Sequence, residues 1–366
     1  MKYTNVHKLP EPYCRAVQID DYDPGESDYT PSSLIRPPYM SKLTAMHDNE
    51  ITVDVADRFF MLCGTLAHQL LERQERGDNS RAEIRIYTQV DRWVIGMQFD
   101  RLFFEKGLKI LQDWKMTTTY KFQKDYNGNY PPAEDWEAQL NIGAFILRNG
   151  GWFVKDEKKQ KFGPVKIDKL QIVGLLRDWH KSQAKRDQFY PQKPVVIRDI
   201  KFWSQNDVIR YVHERASAHD HAKSTNLGNV PPCTEEEMWS SPTTWAVMKT
   251  GRKIAIKAKL ESHQSALDYI EKNKLPTAGK DAHYVEVRPG VRRRCEDYCD
   301  VADWCPAYQK FLEHNQPERV KEKRTAKEKY AEILEKKPEK KEEPESPKPK
   351  KKTTRTRKLT KEKKND

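Results

Sequence analysis

A mixed α/β core is the fold class that the sequence predicts, and three observations lead to it. Three segments rich in Ile, Phe, Tyr, Trp and Thr follow one another with short breaks: Ala82 to Val90, Trp93 to Glu105 and Leu108 to Tyr120. Helical periodicity precedes and follows them, around Val53 to Arg76 and Trp136 to Arg148. A further strand over Lys166 to Leu176 and a helix near Ser204 to Ala218 continue the alternation.

The first fifty residues are rich in Pro, Tyr and Asp without sustained periodicity, so an arm with only short elements is expected to pack on the core. In the helix that follows, Phe59, Leu62, Leu66 and Leu70 recur at helical spacing and Gly77 is placed to stop it. The 366 residues therefore divide into an N-terminal arm (1–52), a core (53–215), a C-terminal region containing most of the cysteines (216–315) and a lysine-rich tail (316–366).

Several classes are disfavoured. Met1 to Pro10 has no apolar run of signal-peptide length, and no stretch of about 18 uncharged apolar residues occurs, so a soluble, cytoplasmic chain with no membrane partner is expected. Six irregularly spaced cysteines do not make a disulfide framework, which leaves metal ligation or burial. The tail holds 20 Lys and Arg against 11 Asp and Glu, so it carries +9 of the net charge of +12 and leaves the body at +3. Its composition predicts disorder, and a polyanionic partner has to be argued from a site rather than from the body's charge.

That site is expected in the hairpin. If Lys106-Gly107 is a two-residue turn, Glu105 pairs with Leu108, and counting back along both strands sets Asp100 opposite Asp113. Opposed like charges destabilise an antiparallel pair unless a cation compensates them. Lys115 lies two residues beyond Asp113 and so points to the same face. Two carboxylates suit Mg²⁺ or Mn²⁺, which prefer oxygen ligands and retain water, and an adjacent ammonium suits charge developing on a phosphate. Taken alone, Asp-x-Lys is more often an exposed ion pair, and a single His on an amphipathic helix is more often a buried hydrogen-bonded residue.

Four elements in order change that balance: Gly64-Thr-Leu-Ala-His68 on a helix, Gly96 to Asp100 on a strand, Asp113-Trp114-Lys115-Met116 on the next, and Gln139-Leu140 on a helix. This run resembles the RecB-type branch of the PD-(D/E)XK nuclease superfamily over about residues 55 to 150. The resemblance implies a restriction-endonuclease-like mixed sheet flanked by helices. It also implies His68, Asp100, Asp113 and the Trp114 carbonyl as metal ligands, Lys115 as the catalytic lysine, and Gln139 as a residue that positions the site or the phosphate. Trp114 replaces the usual Tyr, and Gly143 stands where the Gln-Leu motif usually has Tyr. Glu83 on the preceding strand reads equally as an outer carboxylate or a solvated residue.

Near the end of the expected body, Cys295-x3-Cys299 and Cys305 place three soft ligands within eleven residues, without the second closely spaced pair of a zinc knuckle. They resemble the C-terminal cysteines of RecB-type nucleases such as AddB and the CRISPR-adaptation enzymes, which pair with one distant cysteine around a four-iron cluster. That resemblance implies a structural [4Fe-4S] cluster, with zinc as the alternative. Cys233, in a loop-like setting after two prolines, is favoured as fourth ligand over Cys14, which precedes the core as the lone cysteine does in those relatives.

The expected function is divalent-metal-dependent cleavage of DNA, chiefly by an exonuclease serving recombination, repair or replication alongside proteins of those processes. A phage-encoded version of that role would act in the host cytoplasm. The rival readings are a non-cleaving DNA-binding or assembly protein that keeps the fold, and an RNA-directed nuclease.

Overall fold

The computed structural model describes residues 2–19, 23–74 and 80–315, so the tail and the expected stop at Gly77 lie outside the described residues. Strand β1 (Lys2–Thr4) pairs parallel with β2 (Thr52–Asp54), and between them the arm forms α1 (Glu11–Gln18), α2 (Pro31–Ile35) and α3 (Pro38–His47). The arm is therefore more helical than its composition suggested. Pro31 and Pro38 are the first residues of their helices, where a missing N–H costs nothing, and a capping box between Thr30 and Ser33 closes the start of α2.

Helix α4 (Phe59–Gln74) starts later than Val53, because the Asp54 carboxylate accepts the Ala56 N–H at 3.0 Å and sets a 3₁₀ turn over Val55–Arg58 first. Its apolar stripe is not a core face: Phe59, Leu66 and Leu70 are exposed, and Leu62 alone of the four packs, against Val17 and Val55.

A meander of β3 (Ser80–Val90), β4 (Trp93–Glu105) and β5 (Leu108–Thr117) follows. Lys106 and Gly107 both take positive φ, 51° and 80°, as a two-residue hairpin turn with right-handed twist requires. Glu105 pairs with Leu108, so the expected register holds. β5 ends at Thr117 rather than Tyr120, because the Thr119 N–H turns to donate to Asp178 Oδ1 at 2.7 Å.

The chain then makes α5 (Glu134–Asn149), the hairpin β6 (Gly151–Lys155) and β7 (Lys158–Phe162), β8 (Lys169–Leu176), the short α6 (Lys181–Ala184), β9 (Val195–Ile200) and α7 (Gln205–Ser224). These complete a seven-stranded mixed sheet in the order β7-β6-β3-β4-β5-β8-β9, parallel only between β5 and β8. Helix α5 is the crossover between those two strands, and Leu140, Ile142 and Ile146 are wholly buried in the main core with Ile95, Leu111 and Ile172 from the sheet. Val208, Val212 and Ala216 of α7 join the same core. Helix α7 runs on to Ser224, so the expected boundary at 215 falls inside a helix.

Beyond it, β10 (Ser240–Ser241) pairs with β14 (Val291–Arg292), enclosing a three-stranded sheet of β11 (Thr244–Lys249), β12 (Lys257–Leu260) and β13 (His283–Arg288). Helix α8 (His263–Lys272) packs on that sheet through Ala266 and Ile270 against Val247. Helices α9 (Arg293–Asp297) and α10 (Pro306–Asn315) carry or flank the three clustered cysteines.

One contact beside the site depends on a missing side chain. Gly174 is the β8 register partner of Lys115, and a Cβ there would lie 2.4 Å from two ring carbons of Phe122, itself 2% exposed. Gly174→Ala is expected to destabilise the fold by about 1–3 kcal/mol through overpacking. Urea denaturation measures it, and an unchanged midpoint would mean that Phe122 moves freely.

Candidate metal centre

The site lies where β4 and β5 part. Their pairing ends at Arg101 with Gln112; the next residues in that register are Asp100 and Asp113. Instead of a ladder bond, the Asp100 side chain enters the gap, and its Oδ2 accepts the Trp114 N–H at 2.6 Å. On the other side of β4, Ala82 pairs with Arg101 and Ile84 with Phe99, so Glu83 falls opposite Asp100, with a positive φ of 50°. Glu83, Asp100 and Asp113 therefore form one row across three strands, each at an interruption of the ladder.

Asp113 is only 1% exposed. Lys115 Nζ donates to its Oδ1 at 3.1 Å, and Gln139 Nε2 donates to the same oxygen at 2.7 Å. Lys115 also donates to Gln139 Oε1 at 3.0 Å, so the helix residue bridges both partners. Asp113 Oδ2 is ion-paired with the same ammonium at 2.8 Å, so both oxygens of this buried carboxylate face Lys115.

Helix α4 delivers His68. Its Nε2 stands 3.1 Å from the Trp114 carbonyl, which can only accept, so Nε2 is the protonated nitrogen. Its Nδ1 faces Asp100 Oδ1 at 3.5 Å and Glu83 Oε1 at 3.6 Å. Ligand atoms of His68, Glu83 and Asp100 lie within 4.8 Å of one another, the one such group among the described residues. Asp113 is outside that tight group, held toward Lys115 and Gln139. The expected ligands His68, Asp100 and Trp114 are thus in mutual contact, Asp113 is adjacent along the row, and Glu83 is a further candidate ligand.

Two glycines bear on the motifs. A Cβ at Gly143 would lie 2.4 Å from Met97 Sδ and 3.3 Å from Leu111, so α5 packs too closely on the sheet for a larger residue there. At Gly64, one turn before His68, a Cβ would meet nothing within 4 Å.

Burial, followed by the charge of Asp113, pushes the Asp100 carboxyl up to about 7. Its contact with Glu83, followed by the Asp100 charge, raises the His68 imidazole above its ordinary range despite opposing burial. A divalent cation fits this donor set: carboxylates, a carbonyl and an imidazole, around crowded negative charge. Because the folded pKa of Asp100 exceeds the unfolded carboxylate value, ionising it costs stability as pH rises from the unfolded value through about 7. A cation would relieve that cost, while at lower pH protons on Asp100 and His68 compete with it. Mn²⁺ is therefore expected to raise Tm more at pH 8 than at pH 5.5, as thermal scans with and without metal would measure; a pH-independent shift would contradict this assignment of groups.

Four of the cysteines lie near one another. Cys233, Cys299 and Cys305 pack against one apolar cluster that includes Tyr39, Leu43 and Val301, and Cys295 is 8% exposed. Burial pushes the Cys233 thiol up to about 12, with Glu237, Cys305, Cys295 and Cys299 adding to the shift. Burial likewise raises Cys295 to about 12, with Cys299 and Cys305 contributing. Cys14 packs elsewhere, with Val17 and Val55. The structure therefore brings Cys233, not Cys14, to the three clustered cysteines. All six are free thiols here.

No family model and no curated protein matches the chain. Among solved structures, the crystal structure of SSO0001 superposes with a TM-score of 0.35 at 11% identity, covering 56% of this chain and 83% of its own. A likeness of that size carries no argument about fold family or activity. Among the described residues no helix is long and apolar enough to cross a membrane.

Proposed function

We propose that the chain is a divalent-metal-dependent DNA nuclease with a restriction-endonuclease-like core, and that it serves recombination, repair or replication, chiefly as an exonuclease. The observation that carries this reading is the convergence, where β4 and β5 part, of Asp100, Asp113 and Lys115 with Gln139 and His68. A surface ion pair would not bury Asp113, nor place three carboxylates in one row.

Asp100, Asp113, the Trp114 carbonyl and His68, with Glu83 beside them, would hold Mg²⁺ or Mn²⁺. Such a cation supplies Lewis-acid polarisation of the phosphoryl oxygen and makes water more acidic. Lys115 sits at the rim with 26% of its side chain exposed, near enough to solvent to donate to a non-bridging phosphate oxygen as charge builds there. Gln139 fixes the direction of that ammonium through its 3.0 Å contact and holds Asp113 with its other end. Cys233, Cys295, Cys299 and Cys305 fit an iron-sulfur cluster or zinc as a structural clasp, since four thiolates complete either group and hydrolysis needs no redox step.

Purified protein with Mg²⁺ or Mn²⁺ should cleave end-labelled DNA, and comparison of linear with circular, single- with double-stranded, and DNA with RNA substrates defines the mode. Metal-dependent cleavage of linear DNA from its ends supports the reading. Binding without cleavage of any substrate would favour a DNA-binding assembly protein, and selective cleavage of RNA would favour the RNA-directed alternative.

A further inference from the structure

We propose that the cavity between the loops following β5 and β8 binds an unpaired polynucleotide strand, with Tyr126 stacking on a base and Lys124, Lys185 and Arg186 holding phosphates. This rests on the nuclease reading and adds to it a surface for the strand. The two loops leave the sheet at the same end, because β5 and β8 are parallel and Thr117 pairs with Leu176. Lys115 lies two residues before the end of β5, on the strand from which the first of these loops leaves.

The cavity there is about 760 Å³, and its lining includes Lys124, Tyr126, Lys185, Arg186 and Phe189. Its two carboxylates are committed to the turns. Asp125 Oδ1 accepts the N–H groups of Asn127 at 2.9 Å and Asn129 at 2.8 Å, and Asp187 Oδ1 accepts that of Phe189 at 2.8 Å. Lys185 and Arg186 are exposed and make no ion pair among the described residues, while the Lys124 ammonium lies 4.8 Å from the Tyr130 ring centre. The lining thus carries three cations against two carboxylates, whose oxygens are held in the turns, a balance that favours an anion.

Tyr126 supplies the second half of the recognition. It is 91% exposed, but its ring meets Phe189 edge-on at 5.0 Å, and two residues earlier the Lys124 N–H donates to the Phe189 carbonyl at 3.1 Å. An aromatic face open to solvent has little value to the fold, but it suits a base. Duplex DNA keeps its bases stacked inside and offers such a ring nothing, so the fitting occupant is a single strand. The sugar is unspecified by these contacts.

The test is fluorescence anisotropy of the full chain with a labelled oligothymidylate in EDTA, across a salt series, beside cleavage assays with Mn²⁺. Tyr126→Ala should weaken binding about tenfold, and Tyr126→Phe should restore it. Replacing Lys185 and Arg186 together by Ala should lower the salt slope by about 1.4, or about 0.7 for each phosphate contact. A parallel oligouridylate arm assigns the strand as DNA or RNA by the tighter Tyr126-dependent binding. Wild-type affinity and slope in these variants would overturn the cavity proposal, even if the chain cleaves DNA. Tyr126-dependent binding by a chain that cleaves nothing would uphold the cavity and remove the nuclease reading.

Discussion

Cleavage should fall at least about a hundredfold when Lys115 is replaced by Ala, and at least as far for Asp113→Asn, with substrate affinity little changed. Among the described residues Lys115 is the one cation touching Asp113, and its ammonium is held by two neighbours in an orientation that a transition state can use without reorganisation. Asp113→Asn keeps the shape of the side chain but removes the charge that pairs with Lys115 at 2.8 Å. Lys115→Ala would leave a carboxylate buried with Gln139 as its remaining side-chain partner, so its fold has to be checked by circular dichroism. Turnover in single-turnover assays separates chemistry from binding. Undiminished cleavage by either folded variant would remove this face of the sheet from the mechanism.

The second large effect is expected at the cysteines. Protein purified without oxygen should be brown if four iron atoms fill the thiol site, and Cys299→Ser should remove the colour and lower Tm by on the order of 10 °C. The loss is large because this site joins elements far apart in sequence: Cys233 follows α7, Cys295 lies in α9, and Tyr39 and Leu43 of the arm pack on the same cluster. Cys233→Ser should match Cys299→Ser, whereas Cys14→Ser should keep the metal, since Cys14 belongs to a different packing cluster. Colourless protein with stoichiometric zinc would correct the metal but keep the four ligands. Metal retained in Cys233→Ser would overturn the ligand set.

The residues that proved legible in the sequence are those governed by local rules. The turn at Lys106-Gly107 fixes the hairpin register, and period-two alternation then puts Asp113 and Lys115 on one face; both follow from chain geometry alone. The same arithmetic brought Asp100 level with Asp113 but could not foresee that the strands part there, because that depends on the Trp114 N–H choosing the Asp100 side chain over a ladder partner. Glu83 was within reach of the same arithmetic, since the two residues Asp91-Arg92 pair Val90 with Trp93 and counting back sets Glu83 opposite Asp100. Its positive φ, uncommon for Glu, left no mark in the residue type.

The strands left unassigned were short or polar. β7 reads Lys-Lys-Gln-Lys-Phe, an exposed edge strand without apolar alternation, and the sheet of β11 to β13 is built from segments of four to six residues. The apolar spacing of α4 gave the helix but misled about its face, since Phe59, Leu66 and Leu70 remain exposed while His68 and Leu71 turn toward Glu83, Asp100 and Trp114. The choice of Cys233 over Cys14 rested on local context, and the fold provides the reason: α7 ends beside the clustered thiols, and α1 does not.

A manganese anomalous difference map from crystals grown with Mn²⁺ at pH 8 tests the central claim most directly. The account predicts a peak within coordination distance of Asp100 and Asp113, with the Trp114 carbonyl or His68 completing the set. A peak held by His68 and Glu83 without Asp113, or no peak among these residues at saturating Mn²⁺, would contradict it.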